Sequence, residues 1–327
     1  MGSAVRRIGV LTSGGDAPGM NAAIRSAART CASLGIECVG IRRGFNGLIN
    51  GDAEVLNYNR VSGLNRLGGT ILYSARSEEF RTEAGIQRAI NTCKLLGLDG
   101  IIGIGGDGTF RGLHALSERG IAVVGVPGTI DNDITCSSYT IGYDTACNTA
   151  VECIDRLQDT MQSHERCSVV EVMGHRAGHL ALYVGLACGA TAVLIPEKTV
   201  NFEEDVIEPI RRARLAGRTH FMIIVAEGVG SSYEVAAKIK EATALDTRVT
   251  VLGHIQRGGA PSARDRVTAT HMGYTAVTLL ANNQTDRVVC LQNDEYVDYD
   301  ISGALSMRKG IDEDKYTVMR TMIGQKS

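Results

Sequence analysis

Short apolar runs along the chain end in glycine-rich turns, and stretches with apolar positions at helical spacing follow them. Residues 8–11 read as a buried strand leading into T-S-G-G-D-A-P-G, and residues 18–34 as an amphipathic helix stopped by Gly35. Pro18 suits a first helical turn, where its missing N–H is no loss, with Asp16 or Ala17 at the cap. Further strands are expected at 37–41, 100–104 and 122–126, with a helix at 87–96. A helix at 145–161 opens a second series: strand 168–172, helix 178–188, strand 192–195, helix 203–215, strand 221–226 and helix 233–241. Strands alternating with helices imply parallel sheets covered on both faces. The series restarts near residue 140, so two doubly wound α/β halves are expected to face one another across a cleft. Ligands belong at the carboxyl ends of the strands, where the glycine turns fall. No internal repeat, low-complexity tract or long linker interrupts the pattern.

Composition narrows the function classes. The 327 residues suit one large α/β unit or two domains, and 44% hydrophobic against 21% charged residues allows a substantial core. A net charge of −2 and a pI near 6.4 argue against a general nucleic-acid or membrane-surface binder. The nine cysteines are odd in number and lack a C-x-x-C pair, so they read as reduced thiols rather than a disulfide framework or zinc site. The N-terminal stretch has no signal-peptide core, and Arg6 occupies the Ser/Thr position of a myristoylation pattern. No apolar stretch reaches membrane-spanning length, so a cytoplasmic protein with no nucleic-acid or membrane partner is expected.

The candidate chemistry lies in the turns. Ser13-Gly14-Gly15-Asp16 and Gly103-Ile104-Gly105-Gly106-Asp107-Gly108-Thr109 each follow a strand and precede a helix. Backbone N–H groups at a helix N-terminus attract anions, and glycine lets a phosphate approach closely. Asp107 would repel a bare phosphate, so it reads as a ligand, through water, to a phosphate-bound Mg²⁺. One such loop alone is usually a tight βα connection, and the second also fits the G-x-G-x-x-G pattern of dinucleotide sites. Pro127-Gly128-Thr129-Ile130-Asp131-Asn132-Asp133 closes a strand at what should be the same sheet edge. In an extended segment Asp131 and Asp133 would share one face, raising the proton affinity of at least one. That suits a base accepting a hydroxyl proton during phosphoryl transfer. Taken alone, the run reads as a solvated turn.

Arg76, Arg166, Arg248 and Arg257 lie near turns or presumed strand ends, and each by itself is an ordinary surface charge. In Gly253-His254-Ile255-Gln256-Arg257-Gly258-Gly259, polar side chains before a turn could bind sugar hydroxyls and a phosphate. Arg25 and Arg29, four apart on the presumed exposed face of the first helix, are either solvated or an anion site at a subunit interface. His175 and His179 are also four apart, but Arg176 stands where a zinc-binding helix carries glutamate, so no metal role is assigned.

T-S-G-G-D-A-P-G-M-N from Thr12, G-G-D-G-T from Gly105, P-G-T-I-D-N-D from Pro127, V-M-G from Val172 and L-G-H-I-Q-R-G-G from Leu252 occur in one order across nearly the whole chain. Together they closely resemble the bacterial ATP-dependent 6-phosphofructokinase family. The resemblance implies two Rossmann-like doubly wound domains with mostly parallel sheets and an active-site cleft between them. The larger, 1–141 plus 256–306, would bind ATP; the smaller, 142–255 plus 307–327, would bind fructose 6-phosphate. The reaction implied is phosphorylation of the sugar 1-hydroxyl, giving fructose 1,6-bisphosphate and ADP in glycolysis.

By the same resemblance, Gly15, Tyr73, Arg76, Gly106, Asp107, Gly108 and Thr109 handle ATP, with Asp107 serving Mg²⁺. Asp131 looks like the base, Thr129 lies beside the transferring group, and Arg76 bridges the γ-phosphate and the substrate. Thr129, Ile130, Asp131, Met173, Gly174, His175, Glu227, His254, Ile255, Gln256 and Arg257 would surround the sugar phosphate. Arg166 and Arg248 would reach into a neighbouring subunit's site, which implies a homotetramer. Arg25, Arg29 and Arg218 match basic residues of a site for ADP or phosphoenolpyruvate effectors. Pyrophosphate-using relatives carry aspartate where this chain has Gly108 and lysine where it has Gly128, so ATP is the expected donor.

The chain also departs from that family. His175 stands where arginine usually follows V-M-G, with Arg176 next, and His179 takes a usual aspartate position. Tyr58, Gln158 and Thr191 replace two arginines and a glutamate of the effector site, which removes charge-assisted bonds to phosphate. Weak or altered allosteric response is the expectation. NAD kinase shares the G-G-D-G-T loop but has no counterpart of the acidic turn or of G-H-I-Q-R. In a Rossmann oxidoreductase the glycine loop would lie much nearer the start of the chain than residues 103–108. A sugar-phosphate sensor with a dead site is opposed by the intact Asp107, Asp131 and Arg76.

Overall fold

The structure, a computed structural model, describes residues 5–324. The chain forms two compact units: the first holds residues up to Ile130, Ile134–Thr145 and Arg257–Lys309, and the second Asp131–Asp133, Ala146–Gln256 and the segment from Gly310 on. In chain order the first unit begins with β1 (Arg7–Thr12), α1 (Met20–Ser33), β2 (Glu37–Ile41), α2 (Gly44–Asn50) and β3 (Ala53–Val55). It continues through α3 (Glu83–Leu95), β4 (Gly100–Gly105), α4 (Asp107–Ser117) and β5 (Ala122–Pro127). After the first turn of α5 (Tyr143–Ser163), the second unit supplies β6 (Cys167–Val172), α6 (His179–Ala187), β7 (Ala192–Leu194) and α7 (Glu208–Leu215). It closes with β8 (Phe221–Ala226), α8 (Ser232–Thr243) and β9 (Thr247–Val251). The chain then returns for α9 (Ala263–Ala281), β10 (Arg287–Gln292), β11 (Glu295–Asp300) and α10 (Ile301–Ser306), and ends with α11 (Glu313–Met322) in the second unit.

The first unit's sheet has seven strands in the order β11-β10-β5-β4-β1-β2-β3. Its interior pairings are parallel, while the edge strands β3 and β11 run antiparallel to β2 and β10. Strands with helices on both faces have no wet side, so β1, β4 and β5 are almost wholly apolar runs. Leu11, Ile41, Ile101, Phe110 and Leu113 belong to one buried cluster, in which Phe45 and Phe80 stack at 4.2 Å. The second unit's sheet has four strands in the order β7-β8-β6-β9, every pairing parallel. Val169, Leu194, Ile207, Phe221 and Ile223 centre its core.

Several expected boundaries move for identifiable reasons. The first helix starts at Met20, not Pro18, because Gly19 adopts the left-handed conformation at φ 110°. Ile141 and the Asp265 Cβ pack where a side chain at 19 would project. The helix expected from 87 begins at Glu83, capped by the Thr82 hydroxyl, which accepts from the Gly85 N–H at 3.1 Å. The helix expected from 203 is α-helical only from Glu208, since Glu203–Ile207 winds as a π turn. The apolar pattern missed α2, β3 and every element after α8. β11 and β3 are half-solvated edges, where apolar runs are not required.

All nine cysteines are free thiols. Among the described residues no helix is long and apolar enough to cross a membrane.

Candidate active site

In the first unit, parallel register places Thr12 opposite Ile104 and Gly105 opposite Pro127. Both glycine loops and the end of β5 therefore leave the sheet at one carboxyl edge. The loops are bonded together: the Ser13 N–H donates to the Ile104 carbonyl at 3.1 Å, and the Thr109 hydroxyl to the Ser13 carbonyl at 3.1 Å. A Cβ at Gly105 would collide with that carbonyl and hydroxyl, so only glycine permits the approach. Gly106 caps α4 without a side-chain bond, and Asp107 occupies the first turn. The helix thus presents backbone N–H groups and one carboxylate together, an arrangement suited to a metal-bound phosphate. Beside Gly108 no atom lies within 4 Å of where a Cβ would be.

The loop carrying Tyr73 and Arg76 is tied to the same edge. The Thr12 hydroxyl pairs with the Thr70 hydroxyl and donates to the Tyr73 carbonyl, each at 2.9 Å, and the Ser74 hydroxyl donates to the Gly14 carbonyl. Tyr73 is 57% exposed in a left-handed conformation, with the Arg43 guanidinium 5.5 Å from its ring. Arg76 is exposed and makes no ion pair among the described residues. Arg257 lies at this loop as well: its Nη1 donates to the Asp16 carbonyl at 3.1 Å and its guanidinium lies against Gly15. The structure thus places Arg257 with the Gly14–Asp16 loop, whereas Gly253–Gln256 belong to the second unit. There His254 and Ile255 are exposed, and buried Gln256 donates to the Gly253 carbonyl at 3.1 Å.

At the acidic turn, the Gly128 N–H donates to the Gly105 carbonyl at 3.0 Å. Thr129, Ile130 and Asp131 are buried, and Asp133 is half-buried. Asn132 turns left-handed at φ 52°, a conformation asparagine tolerates better than most residues. Because the backbone turns there, Asp131 and Asp133 are not alternate positions of one extended face. Asp131 is buried there and Asp133 only half-buried.

In the second unit β6 and β8 are neighbours with Val172 opposite Ala226, so Met173, Gly174, His175 and Glu227 follow adjacent strand ends. Gly174 at φ 140° and His175 at φ 54° bend the backbone so that the His175 N–H donates to Glu227 Oε1 at 2.5 Å. A main-chain group thus engages Glu227 whatever side chain stands at 175. Arg166 Nε pairs with Asp246 Oδ2 at 2.6 Å and Arg248 Nε with Asp246 Oδ1 at 3.3 Å, so one carboxylate gathers both expected substrate arginines. Desolvation pushes the Asp246 carboxyl upward, but the Arg248 and Arg166 charges outweigh it and hold it below the ordinary 3.8.

Arg25 and Arg29 are partly buried, not on an open helix face as expected. The close packing of α9 on α1 is the reason, and both line a cavity of about 630 Å³ with Arg266, His271 and Tyr274. Arg29 Nη1 donates to the Tyr58 hydroxyl at 2.5 Å and stacks 3.6 Å from its ring centre. Gln158 donates to the Cys188 carbonyl at 3.0 Å, and buried Thr191 accepts from the Met222 N–H at 3.2 Å. Arg218 is exposed in the second unit.

Parallel α/β units whose glycine loops open at the carboxyl edge beside a buried aspartate define a protein of the nucleotide- and phosphate-binding class. The phosphofructokinase family model matches residues 7–280, and the chain belongs to that family. The ATP-dependent 6-phosphofructokinase of Clostridium botulinum (strain Loch Maree / Type A3) is 49% identical over 314 residues, which are 96% of this chain and 98% of the relative. That of Clostridium novyi (strain NT) is 48% identical over 318 residues, 97% of this chain and 99% of the relative. The structure of phosphofructokinase from Saccharomyces cerevisiae superposes with a TM-score of 0.87 at 32% identity, covering 97% of this chain and 46% of that one. The present chain therefore spans a little under half the length of that yeast chain.

One buried group escaped sequence reading. Asp265, fully buried in the first turn of α9, collects bonds from Tyr139, Gly142 and Thr145. The run S-A-R-D at Ser262 resembles a helix cap and locates the helix start, but no local pattern shows that the carboxylate points inward.

Proposed function

We propose that this chain transfers the γ-phosphoryl group of ATP to the 1-hydroxyl of fructose 6-phosphate, yielding fructose 1,6-bisphosphate and ADP. The observation that carries the reading is the register joining both glycine loops to the acidic turn at one sheet edge, in a chain 49% identical to relatives named for this activity. ATP is assigned to the loops at Gly15 and Gly106–Thr109 with Tyr73 and Arg76. The sugar phosphate is assigned to Met173, Gly174, His175, Glu227, His254, Ile255 and Gln256, with Thr129, Ile130 and Asp131 at its reacting end.

Asp131 takes the hydroxyl proton as the phosphoryl group transfers, which its burial beside Thr129 supports. Arg76, exposed and without an ion pair among the described residues, is available to stabilise charge on the transferring group. Arg257 reaches its phosphate from the nucleotide loop in this reading. A magnesium ion fits Asp107: its carboxylate lies at a helix N-terminus with open space beside Gly108, and Mg²⁺ is usually held by one or two carboxylates plus substrate phosphates. When bound, the ion neutralises phosphate charge. Donor choice follows the two glycines. Open space at Gly108 leaves room for a nucleotide, while a side chain at Gly128 would press on Ile104 at 3.0 Å and Met20 at 3.2 Å.

A homotetramer in which Arg166 and Arg248 serve a neighbouring subunit belongs to the same proposal, as does a cytoplasmic location. The response to ADP and phosphoenolpyruvate is assigned as weak, because Tyr58 already holds Arg29 and Gln158 and Thr191 are bonded internally.

A coupled assay with fructose 6-phosphate, run once with ATP and once with pyrophosphate, tests the reaction; turnover only with pyrophosphate would overturn the donor. Added ADP or phosphoenolpyruvate should shift sugar-phosphate half-saturation little, and large shifts would sink the weak-effector reading. Asp131→Ser should lower kcat roughly 10²–10⁴-fold, the range of a general base, with KM values little changed. Near-normal kcat would remove Asp131 from that role.

A further inference from the structure

Asp265 is fully buried, and the phosphoryl-transfer machinery assigned above does not use it. Burying a carboxylate is unfavourable unless it is thoroughly hydrogen-bonded, and this one is. Oδ1 accepts from the Tyr139 hydroxyl at 2.5 Å and the Gly142 N–H at 2.7 Å. Oδ2 accepts from the Thr145 N–H at 2.9 Å and the Thr145 hydroxyl at 2.5 Å. The Thr145 hydroxyl oxygen in turn accepts from the Ser262 N–H at 2.9 Å, so the carboxylate and the start of α9 grip the same residue. Desolvation pushes the carboxyl above its ordinary 3.8, and these donors pull the other way.

The gripped segment continues to the reacting loop. Ile141, between Tyr139 and Gly142, which both donate to Asp265, donates its N–H to the Pro127 carbonyl at 3.0 Å and forms a parallel bridge with Gly128. The Thr140 hydroxyl donates to the Thr129 carbonyl at 2.7 Å. Thr140 is fully buried and Thr129 nearly so, which gives neither bond competition from bulk water. Two hydrogen-bond steps thus connect the Asp265 carboxylate with the main chain of Thr129, two residues before Asp131. The last residues of the P-G-T strand end are held on one side by the Gly105 carbonyl and on the other by this strap.

We propose that Asp265 is a positioning residue for phosphoryl transfer, holding residues 139–145 so that Thr140 and Ile141 set the main chain of Pro127–Thr129 from which Asp131 projects. The proposal rests on the phosphoryl-transfer reading above. The carboxylate is required because all four partners are donors. Asparagine has nearly the same shape but offers one acceptor oxygen, and its amide N–H₂ would face the Gly142 or the Thr145 backbone N–H, a donor that cannot turn to accept. Displacing a reacting group by about 1 Å costs on the order of 10²-fold in rate, so a strap two bonds away carries a kinetic signature.

The test compares steady-state kinetics and thermal unfolding of the full-length chain with Asp265→Asn, Tyr139→Phe and Thr140→Val, assayed with ATP and fructose 6-phosphate well below each melting temperature. Asp265→Asn is expected to lower kcat about 10- to 100-fold while KM for ATP stays within about threefold. Tyr139→Phe and Thr140→Val, which each delete one hydroxyl from the strap, are expected to lower kcat by about three- to tenfold. A purely structural carboxylate would instead lower the melting temperature and leave kcat per folded molecule intact. Folded Asp265→Asn with wild-type kcat overturns the proposal alone. If that variant does not fold, normal kcat in both hydroxyl deletions overturns it instead. An unsubstituted chain without kinase activity overturns the phosphoryl-transfer reading, and this proposal with it.

Discussion

Asp246 is held between two guanidiniums, Arg166 at 2.6 Å and Arg248 at 3.3 Å, and its carboxyl ionises more readily than an ordinary aspartate. A depressed folded-state pKa means that its contribution to stability is full above the unfolded value, near 3.8, and is lost as pH falls through the lower folded value. Carboxyl titration by NMR should therefore place Asp246 below 3.8, and a midpoint above that value would show the pairs are not formed in solution. The pairs are exposed, so salt should screen them and bring the midpoint back toward the ordinary value. Glu227 is held by the His175 backbone N–H at 2.5 Å, a bond that needs no arginine side chain at 175.

Among the elements, α1 and α9 of the first unit pack closely on one another. Ala22, Ala23 and Ala27 on α1 are fully buried, and the Ser26 hydroxyl donates to the Thr270 carbonyl at 2.5 Å. A Cβ at Gly273 would lie 2.6 Å from the Ala23 carbonyl oxygen and 2.9 Å from the Ser26 Cβ, so the helix axes could not stay where they are. Gly273→Ala should accordingly destabilise by about 1–3 kcal/mol, despite alanine's better helix propensity. Chemical denaturation measures this directly, and a variant as stable as the parent would mean the helices part at little cost. Arg25 and Arg29 lie on this same packed region, which is why they are partly buried rather than free surface charges.

For the whole molecule, the decisive feature is that neither unit is a continuous piece of chain. The first sheet is completed by β10 and β11, which arrive only after residues 146–256 of the second unit have been traversed. β5 pairs with β10 through Arg287↔Val124 and Val288↔Gly125, so a chain ending at residue 256 would leave the interior edge of β5 open and strip α9 from α1. Such a truncation should fail to give a cooperative thermal transition and should aggregate through the open edge. A soluble, cooperatively melting product would show that the first sheet is stable without its returning strands. Both Asp265, which holds residues 139–145, and the guanidinium of Arg257 come from this returning segment, so the carboxyl edge of the first sheet is completed only when the chain comes back.

The α/β class, most of the buried parallel strands and the glycine turns at the strand ends were legible in the amino-acid sequence. These depend on local rules: apolar runs for strands without a wet face, and glycine where backbones or phosphates approach closely. The sequence also carried the family through five motifs in order, which the match over residues 7–280 bears out. The half-solvated edge strands β3 and β11 left no such pattern. Only tertiary structure decided what each charged group does. A carboxylate at position 265 looks like any helix-start aspartate until the neighbours of α9 bring three donor residues, more than a hundred positions away in the chain, onto it. The acidic turn changed in the same way, because Asn132 is left-handed at φ 52° and the segment carrying Asp131 and Asp133 is not extended there. Hydrogen bonding and burial act through space, and strand alternation cannot report them.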